Sequence, residues 1–172
     1  MLASLLVAGC GRYGFEHRVG SDSGTDDANR DAPSDIPGVC GPGYASWAPL
    51  TSRYRIATAL DWSVAEADCE TDGGHLVVVN DLAEHTEVRA RITNNNIWIG
   101  MTDRITESQY LQVTGGPPGY TAWPGAPPSN TGEDCVEILA NSDYEDTNCI
   151  QAAAAFGYAC ECDGTSSMIG AF

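Results

Sequence analysis

Carboxylate side chains are concentrated around two cysteines in the last third of the chain. The cysteines are Cys135 and Cys149, and the carboxylates beside them are Glu133, Asp134, Glu145 and Asp146. A disulfide between the cysteines would close a short loop and hold the four charges close together. Because like charges repel at short range, such a group is costly unless a cation neutralises it. Hard cations such as Ca2+ prefer carboxylate oxygens, so the spacing predicts a calcium site.

The composition restricts the class of protein to which the chain can belong. The chain has 172 residues, which suits one ordinary domain. Its formal charge is −16, with 8 basic residues that are all arginines. Since it has no basic stripe to displace counterions from phosphate, the sequence argues against nucleic acid as a partner. Seven cysteines without a CxxC pair predict a three-disulfide domain in an oxidising compartment, with one cysteine left over.

The chain begins with a short apolar run that ends in a cysteine. Residues 7–10, with the sequence VAGC, resemble the lipobox of bacterial lipoproteins. The resemblance implies a signal peptide over residues 1–10 and a lipid on Cys10, through which alone the protein would contact a membrane. Residues 11–39 are rich in Asp, Ser, Gly and Pro and predict a disordered acidic tether. The alternative is an apolar terminus with a free thiol.

Two helices are predicted early in the folded region. The first covers residues 61–72, with Asp61 as its cap. The second covers residues 81–92, where Asp81 and Glu84 have the spacing of a capping box. The residues expected to face the core are Trp62, Ala65, Ala67 and Cys69 in the first helix and Leu82, Val88 and Ile92 in the second.

Short strands follow the helices, and one long connection interrupts them. Strands are predicted over residues 53–58, 76–79, 97–101, 109–113, 135–139 and 156–160. Residues 114–134 are rich in Gly, Pro, Ser and Thr, and a loop of that length inside a domain is usually functional. Because the helices are predicted in the first part of the folded region and most strands in the second part, the sequence favours an α+β fold with short antiparallel sheets.

Residues 40–162 resemble the C-type lectin-like domain over nearly their whole length. The matching pieces, in the order of that family, are WSVAEADC at 62–69, GGHLV at 73–77, WIGM at 98–101, WPG at 123–125, EDCV at 133–136, YED at 144–146 and YACE at 158–161. The resemblance implies the fold of that family, in which two helices pack with short sheets around a long irregular loop. Residues 163–172 follow the domain as an expected frayed tail.

The resemblance also implies a disulfide pattern. It pairs Cys69 with Cys160 and Cys135 with Cys149. The two cysteines of the domain that remain are then assigned to each other, which gives Cys40–Cys162. Pairing of Cys162 with Cys69 is the alternative.

In sugar-binding members of the family, one Ca2+ bridges protein oxygens and two sugar hydroxyls. The resemblance places its ligands at Glu133, Glu145 and Asp146, with Asn130 as a replacement for a lost loop ligand. The loop motif becomes PPS at residues 127–129, whose first proline has no side-chain oxygen. The expected ligand-binding residues are Ser129, Asn130, Glu133, Glu145 and Asp146. The alternative is a solvated acidic rim.

A second calcium position is implied by Glu84 and Glu161. Some members hold a structural calcium between the second helix and the last strand with one glutamate from each, and these two residues occupy the matching places. The alternative is an ordinary helix-cap glutamate and an exposed strand glutamate.

The sequence predicts a binding protein and not an enzyme. No motif links His17, His75 or His85 to a nucleophile. The expected function is an extracytoplasmic, lipid-anchored module for ligand recognition, with calcium-dependent carbohydrate binding as its specific form. The alternative is a protein-binding or structural envelope protein that uses the fold as a scaffold. The expected location is the cell envelope, or the exterior if Cys10 carries no lipid.

Overall fold

The computed structural model describes residues 39–59, 61–93, 96–129, 131–151 and 154–168. The predictions for Cys10, for residues 11–38 and for Asn130 fall outside these residues. Within them, no helix is long and apolar enough to cross a membrane.

The described chain forms two helices and eight strands. In chain order these are β1 (Ala45–Ser46), β2 (Arg53–Ala59), α1 (Trp62–Thr71), β3 (His75–Leu76), α2 (Leu82–Arg91), β4 (Ile97–Thr102), β5 (Leu111–Gln112), β6 (Cys135–Ile138), β7 (Tyr144–Thr147) and β8 (Phe156–Cys162). Both helices and most strands lie where the sequence predicts them. The segment between β5 and β6 contains no helix or strand in its described part, as expected for a long irregular loop.

All eight strands belong to one mixed sheet. Its order is β1-β2-β8-β4-β6-β7, with β3 paired to β8 and β5 paired to β4. The pairing of β4 with β8 is parallel, and the other described pairings are antiparallel. The predicted short antiparallel strands thus form one sheet that also contains a parallel pairing at its centre, where residues far apart in sequence meet.

Helix α1 begins and faces the core largely as predicted. The Asp61 side chain accepts hydrogen bonds from the N–H groups of Ser63 and Val64. Ala67 is exposed, contrary to the prediction, and its neighbour Glu66 is buried instead. The short alanine leaves little apolar surface to bury, whereas the Glu66 carboxylate has hydrogen-bond donors inside the fold.

Helix α2 departs from its prediction at two residues. Asp81 caps the helix by accepting a hydrogen bond from the N–H of Glu84. The Glu84 side chain does not complete a capping box, because it turns inward to Tyr54 and Asn80. Leu82 is 63% exposed rather than part of the core. His85 is buried in the helix face instead.

A row of three buried glutamates lines residues 76–80 on the side that does not pair with β8. We call it the glutamate ladder: Glu66 accepts from the N–H of Leu76 at 2.8 Å, Glu161 from Val78 at 3.0 Å and Glu84 from Asn80 at 2.8 Å. Alternate N–H groups of residues 76–80 thus bind carboxylates instead of a neighbouring strand. The N–H of Val77, which points the other way, pairs with Ala159 of β8.

Three disulfides join the described segments. They are Cys40–Cys162, Cys69–Cys160 and Cys135–Cys149. All three predicted pairings are confirmed, and the alternative of Cys69 with Cys162 is excluded. The first joins residues 122 apart in sequence and therefore closes the domain end to end.

Residues 163–168 are packed against the domain and are not a frayed tail. Asp163 hydrogen-bonds His75, and the hydroxyl of Ser167 donates to Glu66. The N–H of Met168 donates to the carbonyl of Val113. The sequence signal failed here because short polar segments can be held by side-chain hydrogen bonds without burying apolar surface.

Candidate functional site

The hairpin of β6 and β7 sets the positions of the predicted calcium ligands. Val136 pairs with Asp146, and Glu137 pairs with Glu145. Because successive side chains of a strand point to opposite faces, Glu145 and Asp146 cannot lie on the same side of the sheet. Asp146 is 2% exposed, and Glu145 is exposed.

Asp146 faces the long loop together with Glu133. Burial raises the pKa of Asp146 above its ordinary value, and the charges of Asp103 and Glu133 raise it further. The hydroxyl of Tyr110 donates a hydrogen bond to Asp146 Oδ2 at 2.7 Å. Glu133 and Asp146 are therefore close enough for their charges to interact.

Glu145 does not belong to this group. Its charge acts on Glu137, its partner across the hairpin, on the opposite face. Strand alternation thus separates this predicted metal and ligand-binding residue from Asp146, its neighbour in the sequence. Ser129 is an exposed residue of the loop.

Two acidic residues that the sequence analysis missed lie on the same side of the hairpin as Asp146. Asp103 follows β4 and is 1% exposed, and Glu107 lies in the turn that comes next. The turn is held by a hydrogen bond from the N–H of Ser108 to Asp103 Oδ2 at 2.8 Å. The available signal was an aspartate directly after a strand that is apolar except for its last residue, Thr102, where a carboxylate is brought to the edge of the core.

We call Asp103, Glu107 and Asp146 the acidic cluster. Burial and then the charge of Asp134 raise the pKa of Asp103. Burial and the charges of Asp103, Asp134 and Asp146 raise the pKa of Glu107. Each member of the cluster has one buried carboxylate oxygen without a hydrogen-bond partner: Asp103 Oδ1, Glu107 Oε1 and Asp146 Oδ1. Buried oxygens without partners are energetically unfavourable.

Carboxylate oxygens such as these are the type of ligand that a hard cation prefers. Ca2+ is bound through carboxylate oxygens, and three charges from two segments would be neutralised by one divalent ion. In the present side-chain positions, the described residues contain no group of three histidine, cysteine or acidic side chains that could hold a metal. Binding would therefore require the side chains to move.

The second predicted calcium position does not fit a metal. The carboxylate of Glu84 accepts hydrogen bonds from Tyr54 at 2.6 Å and from Asn80 at 2.8 Å. Glu161 accepts from Val78 at 3.0 Å and makes a longer contact of 3.5 Å with the Tyr54 hydroxyl. Glu161 is also buried, not exposed. Three of the four carboxylate oxygens have a donor, and the fourth, Glu161 Oε1, lies beside the Tyr54 hydroxyl whose hydrogen is nearer to Glu84. The pair is part of the core.

Aromatic side chains pack between the long loop and the sheet and hold the loop in place. Trp123 packs on Tyr110 with ring centroids 4.9 Å apart and on Tyr144 at 5.6 Å. Tyr120 hydrogen-bonds His85, and the N–H of Tyr144 donates to Ala122. The loop is thus held next to the acidic cluster, as a ligand-binding surface requires.

Comparison with known proteins identifies the class. The sequence model of the Lectin C-type domain matches residues 58–161, more than half of the chain. The chain therefore belongs to the C-type lectin domain family. Hepatic lectin of Gallus gallus is 29% identical over 116 residues, which are 64% of this chain and 56% of that protein. Asialoglycoprotein receptor 2 of Mus musculus is 32% identical over 99 residues, which are 54% of this chain and 33% of that protein. The chain thus spans about half or less of the length of these relatives.

Solved structures share the fold. A calcium-independent type II antifreeze protein superposes with a TM-score of 0.62 at 25% identity, covering 72% of this chain and 93% of that one. The cow carbohydrate-recognition domain of CD23 superposes with a TM-score of 0.61 at 24% identity, covering 72% and 95%. Structures with this fold thus include one crystallised in the presence of an oligosaccharide and one described as calcium-independent.

The opposite face of the hairpin contains a buried carboxyl group with a high pKa. Glu137 is 3% exposed, and its Oε2 has no hydrogen-bond partner. Burial raises the pKa of Glu137 to about 7, and the charge of Glu145 contributes to the rise. This group is therefore protonated over much of the range in which exposed glutamates are charged.

We expect Glu137→Gln to flatten the pH dependence of stability between about pH 5 and pH 8. The folded pKa of about 7 lies above the reference value of 4.5, so the folded protein binds the proton more tightly than the unfolded chain. The stabilisation is complete below pH 4.5 and is lost as the pH rises through 7. The native protein should lose about 2 kcal/mol more than the variant over this range, measured by urea denaturation at each pH.

The matched control is Glu70→Gln on α1, which makes the same change away from the hairpin. It should keep the pH dependence of the native protein. Identical curves for the native protein and Glu137→Gln would show that Glu137 does not hold the proton.

Proposed function

We propose that this protein is a ligand-recognition module whose long loop is organised by a calcium ion on the acidic cluster. The observation that carries the proposal is the set of three buried carboxylate oxygens without partners. They come from the turn after β4 and from β7, two segments that flank the loop. When bound, Ca2+ would supply the positive charge that these side chains lack.

The acidic cluster lies beside the long loop, which is the part of the chain best suited to contact a ligand. Thr102 and the N–H of Asp103 both donate to the carbonyl of Asp134, which joins the end of the loop to the turn. Neutralising the carboxylates would remove a charge repulsion that opposes this contact between the loop and the turn. Cation binding and loop order are therefore coupled in the proposal.

Carbohydrate is the ligand class that we propose first, without direct coordination of the sugar by calcium. Names of relatives such as hepatic lectin support a glycan ligand. The loop motif argues against a metal bridge, since Pro127 has no side-chain oxygen and Glu145 faces away from Asp146. Sugar hydroxyls would then be bound by loop side chains.

A second candidate is metal-free binding of a protein surface, or a structural role in the envelope. It is supported by the lack of a metal-holding group of side chains among the described residues. The similarity to a calcium-independent antifreeze protein supports it as well. In this case the long loop would be held by its aromatic contacts alone.

Catalysis is not part of the proposal. His75 hydrogen-bonds the carbonyl of Leu76 and Asp163, and His85 contacts Tyr120. The matched family supports a binding role.

We expect Ca2+ to raise the melting temperature, and a chelator to reverse the rise. With a dissociation constant of about 0.1 mM, typical of extracellular sites, about 10 mM Ca2+ adds about 2.7 kcal/mol to the unfolding free energy. Asp103→Asn should lose most of the effect because it removes one charge of the acidic cluster. Differential scanning calorimetry measures the shift.

The matched control for this experiment is Glu145→Gln, which removes an acidic charge from the opposite face of the same hairpin. It should respond to Ca2+ as the native protein does. If about 10 mM Ca2+ leaves the native melting temperature unchanged, metal-free recognition becomes the better function.

We expect a glycan array to show binding that is weakened, but not abolished, by chelation. The reason is that calcium organises the loop in this proposal without touching the sugar. Glu145→Gln should keep both the binding and its calcium dependence. Complete loss of binding in chelator would instead indicate a metal-bridged sugar, and an empty array under both conditions would favour a protein ligand.

We also propose that a lipid on Cys10 anchors the protein outside the cytoplasm and that residues 11–39 space the domain from the membrane. The three disulfides support the compartment, because such bonds persist where the environment is oxidising. Metabolic labelling with a fatty-acid analogue should mark the native chain and not Cys10→Ala. Equal labelling of both would overturn the anchor, and an unlabelled native chain would indicate secretion.

A further inference from the structure

A small cavity lies between α1 and the last described residues of the chain. Its volume is about 140 Å3, and its lining comes from α1, from the turn after β4 and from residues 167–168. No residue of the acidic cluster and no residue of the long loop lines it. The cavity is therefore a position for a ligand that is separate from the one proposed above.

One face of α1 forms a wall of the cavity. Its lining residues are Ser63, Glu66, Ala67 and Glu70, and their spacing of i, i+3, i+4 and i+7 places them on the same side of the helix. Because the side chain of Ala67 ends at Cβ, it leaves open space over the middle of this face.

The C-terminal segment forms another wall, and hydrogen bonds hold it in place. The hydroxyl of Ser167 donates to the carboxylate of Glu66. The N–H of Met168 donates to the carbonyl of Val113 at 2.8 Å. Since both residues are attached to the domain in this way, the cavity does not need a ligand in order to form.

Arg104 supplies the positive charge of the cavity. Its Nη1 donates to Ser63 Oγ at 3.1 Å, which holds the guanidinium near the N-terminal end of α1. Within the described part of the chain Arg104 has no ion pair, whereas Arg55 pairs with Asp68. A guanidinium binds a carboxylate through two parallel hydrogen bonds, so Arg104 suits the carboxylate of a ligand.

Two carboxylates supply negative charge further along α1. Glu66 is 6% exposed, and Glu70 is half-buried one turn later. Burial raises the pKa of Glu66 in spite of the donors to its oxygens, and the charge of Glu70 contributes to the rise. The two groups therefore repel each other, and an ammonium group beside both would remove the repulsion.

Charge and size together define the ligand. Ser63, which holds Arg104, and Glu66 are about 4.5 Å apart along the helix axis, so one small molecule can contact both charges. A cavity of about 150 Å3 holds benzene, so this one suits about six or seven non-hydrogen atoms, the size of an amino acid rather than of a monosaccharide.

We propose that this cavity binds a small amino acid as a zwitterion, with its carboxylate on Arg104 and its ammonium group beside Glu66 and Glu70. The site goes beyond the proposed function and does not depend on calcium or on the long loop.

The test is an NMR titration of the isotope-labelled native protein at constant ionic strength. The probes are γ-aminobutyrate and α-aminobutyrate, which differ in the separation of their charges, and butyrate and butylammonium, which each keep one charge. A ligand of this size is expected to bind in the millimolar range. We expect one aminobutyrate to give saturable shifts in α1, Arg104 and residues 167–168, and each singly charged probe to bind about tenfold more weakly.

Two variants test the position of the bound molecule. Arg104→Gln removes the cation and should lower the affinity about tenfold. Ala67→Leu fills the cavity at an exposed helix position that tolerates leucine, and it should abolish the saturable shifts. Arg53→Gln is the matched control, because Arg53 is an exposed arginine that donates to a neutral acceptor, the carbonyl of Tyr44, away from the cavity. It should bind as the native protein does.

Four results would overturn the inference. The first is that neither aminobutyrate binds up to about 50 mM, well above the millimolar range expected for a ligand of this size. The second is that butyrate or butylammonium binds as tightly as the aminobutyrates, which would show that only one charge is recognised. The third is full affinity in Arg104→Gln or Ala67→Leu, which would place the ligand elsewhere. The fourth is an equal loss in Arg53→Gln, which would indicate an effect of net charge.

Discussion

The register between β6 and β7 is the constraint on which the site depends. The Cys135–Cys149 disulfide and the pairing of Val136 with Asp146 fix that register. A shift by one residue would send Asp146 to the opposite face and bring Glu145 to the loop. The hairpin thus decides which carboxylate is buried near the loop and which remains in water. Both the acidic cluster and the contact with Tyr110 follow from it.

Much of the fold could be predicted because its signals are local or covalent. The caps at Asp61 and Asp81 mark the helix starts by their chemistry, and the apolar run of β4 reads directly as a buried strand. The cysteine pairs followed from the resemblance to the family. The parallel contact of β4 with β8 could not be predicted, since it depends on how distant segments cross.

The site was harder to predict for a physical reason. Glu145 and Asp146 look like a chelating pair in the sequence, and only the extended backbone of β7 separates them. Asp103 looks like an ordinary turn residue until the turn buries it. Burial decides whether a carboxylate is a solvated charge or a group in need of a partner, and burial is a property of the whole fold.

The glutamate ladder also affects how readily a strand of another copy can add to the protein. Free N–H groups along a strand edge are a template onto which another chain can add. Here the outward donors of residues 76–80 are occupied by carboxylates from the same molecule. An incoming strand would have to displace three buried acceptors before it could pair. The ladder therefore occupies the three donors to which another chain would have to bind along this side of residues 76–80.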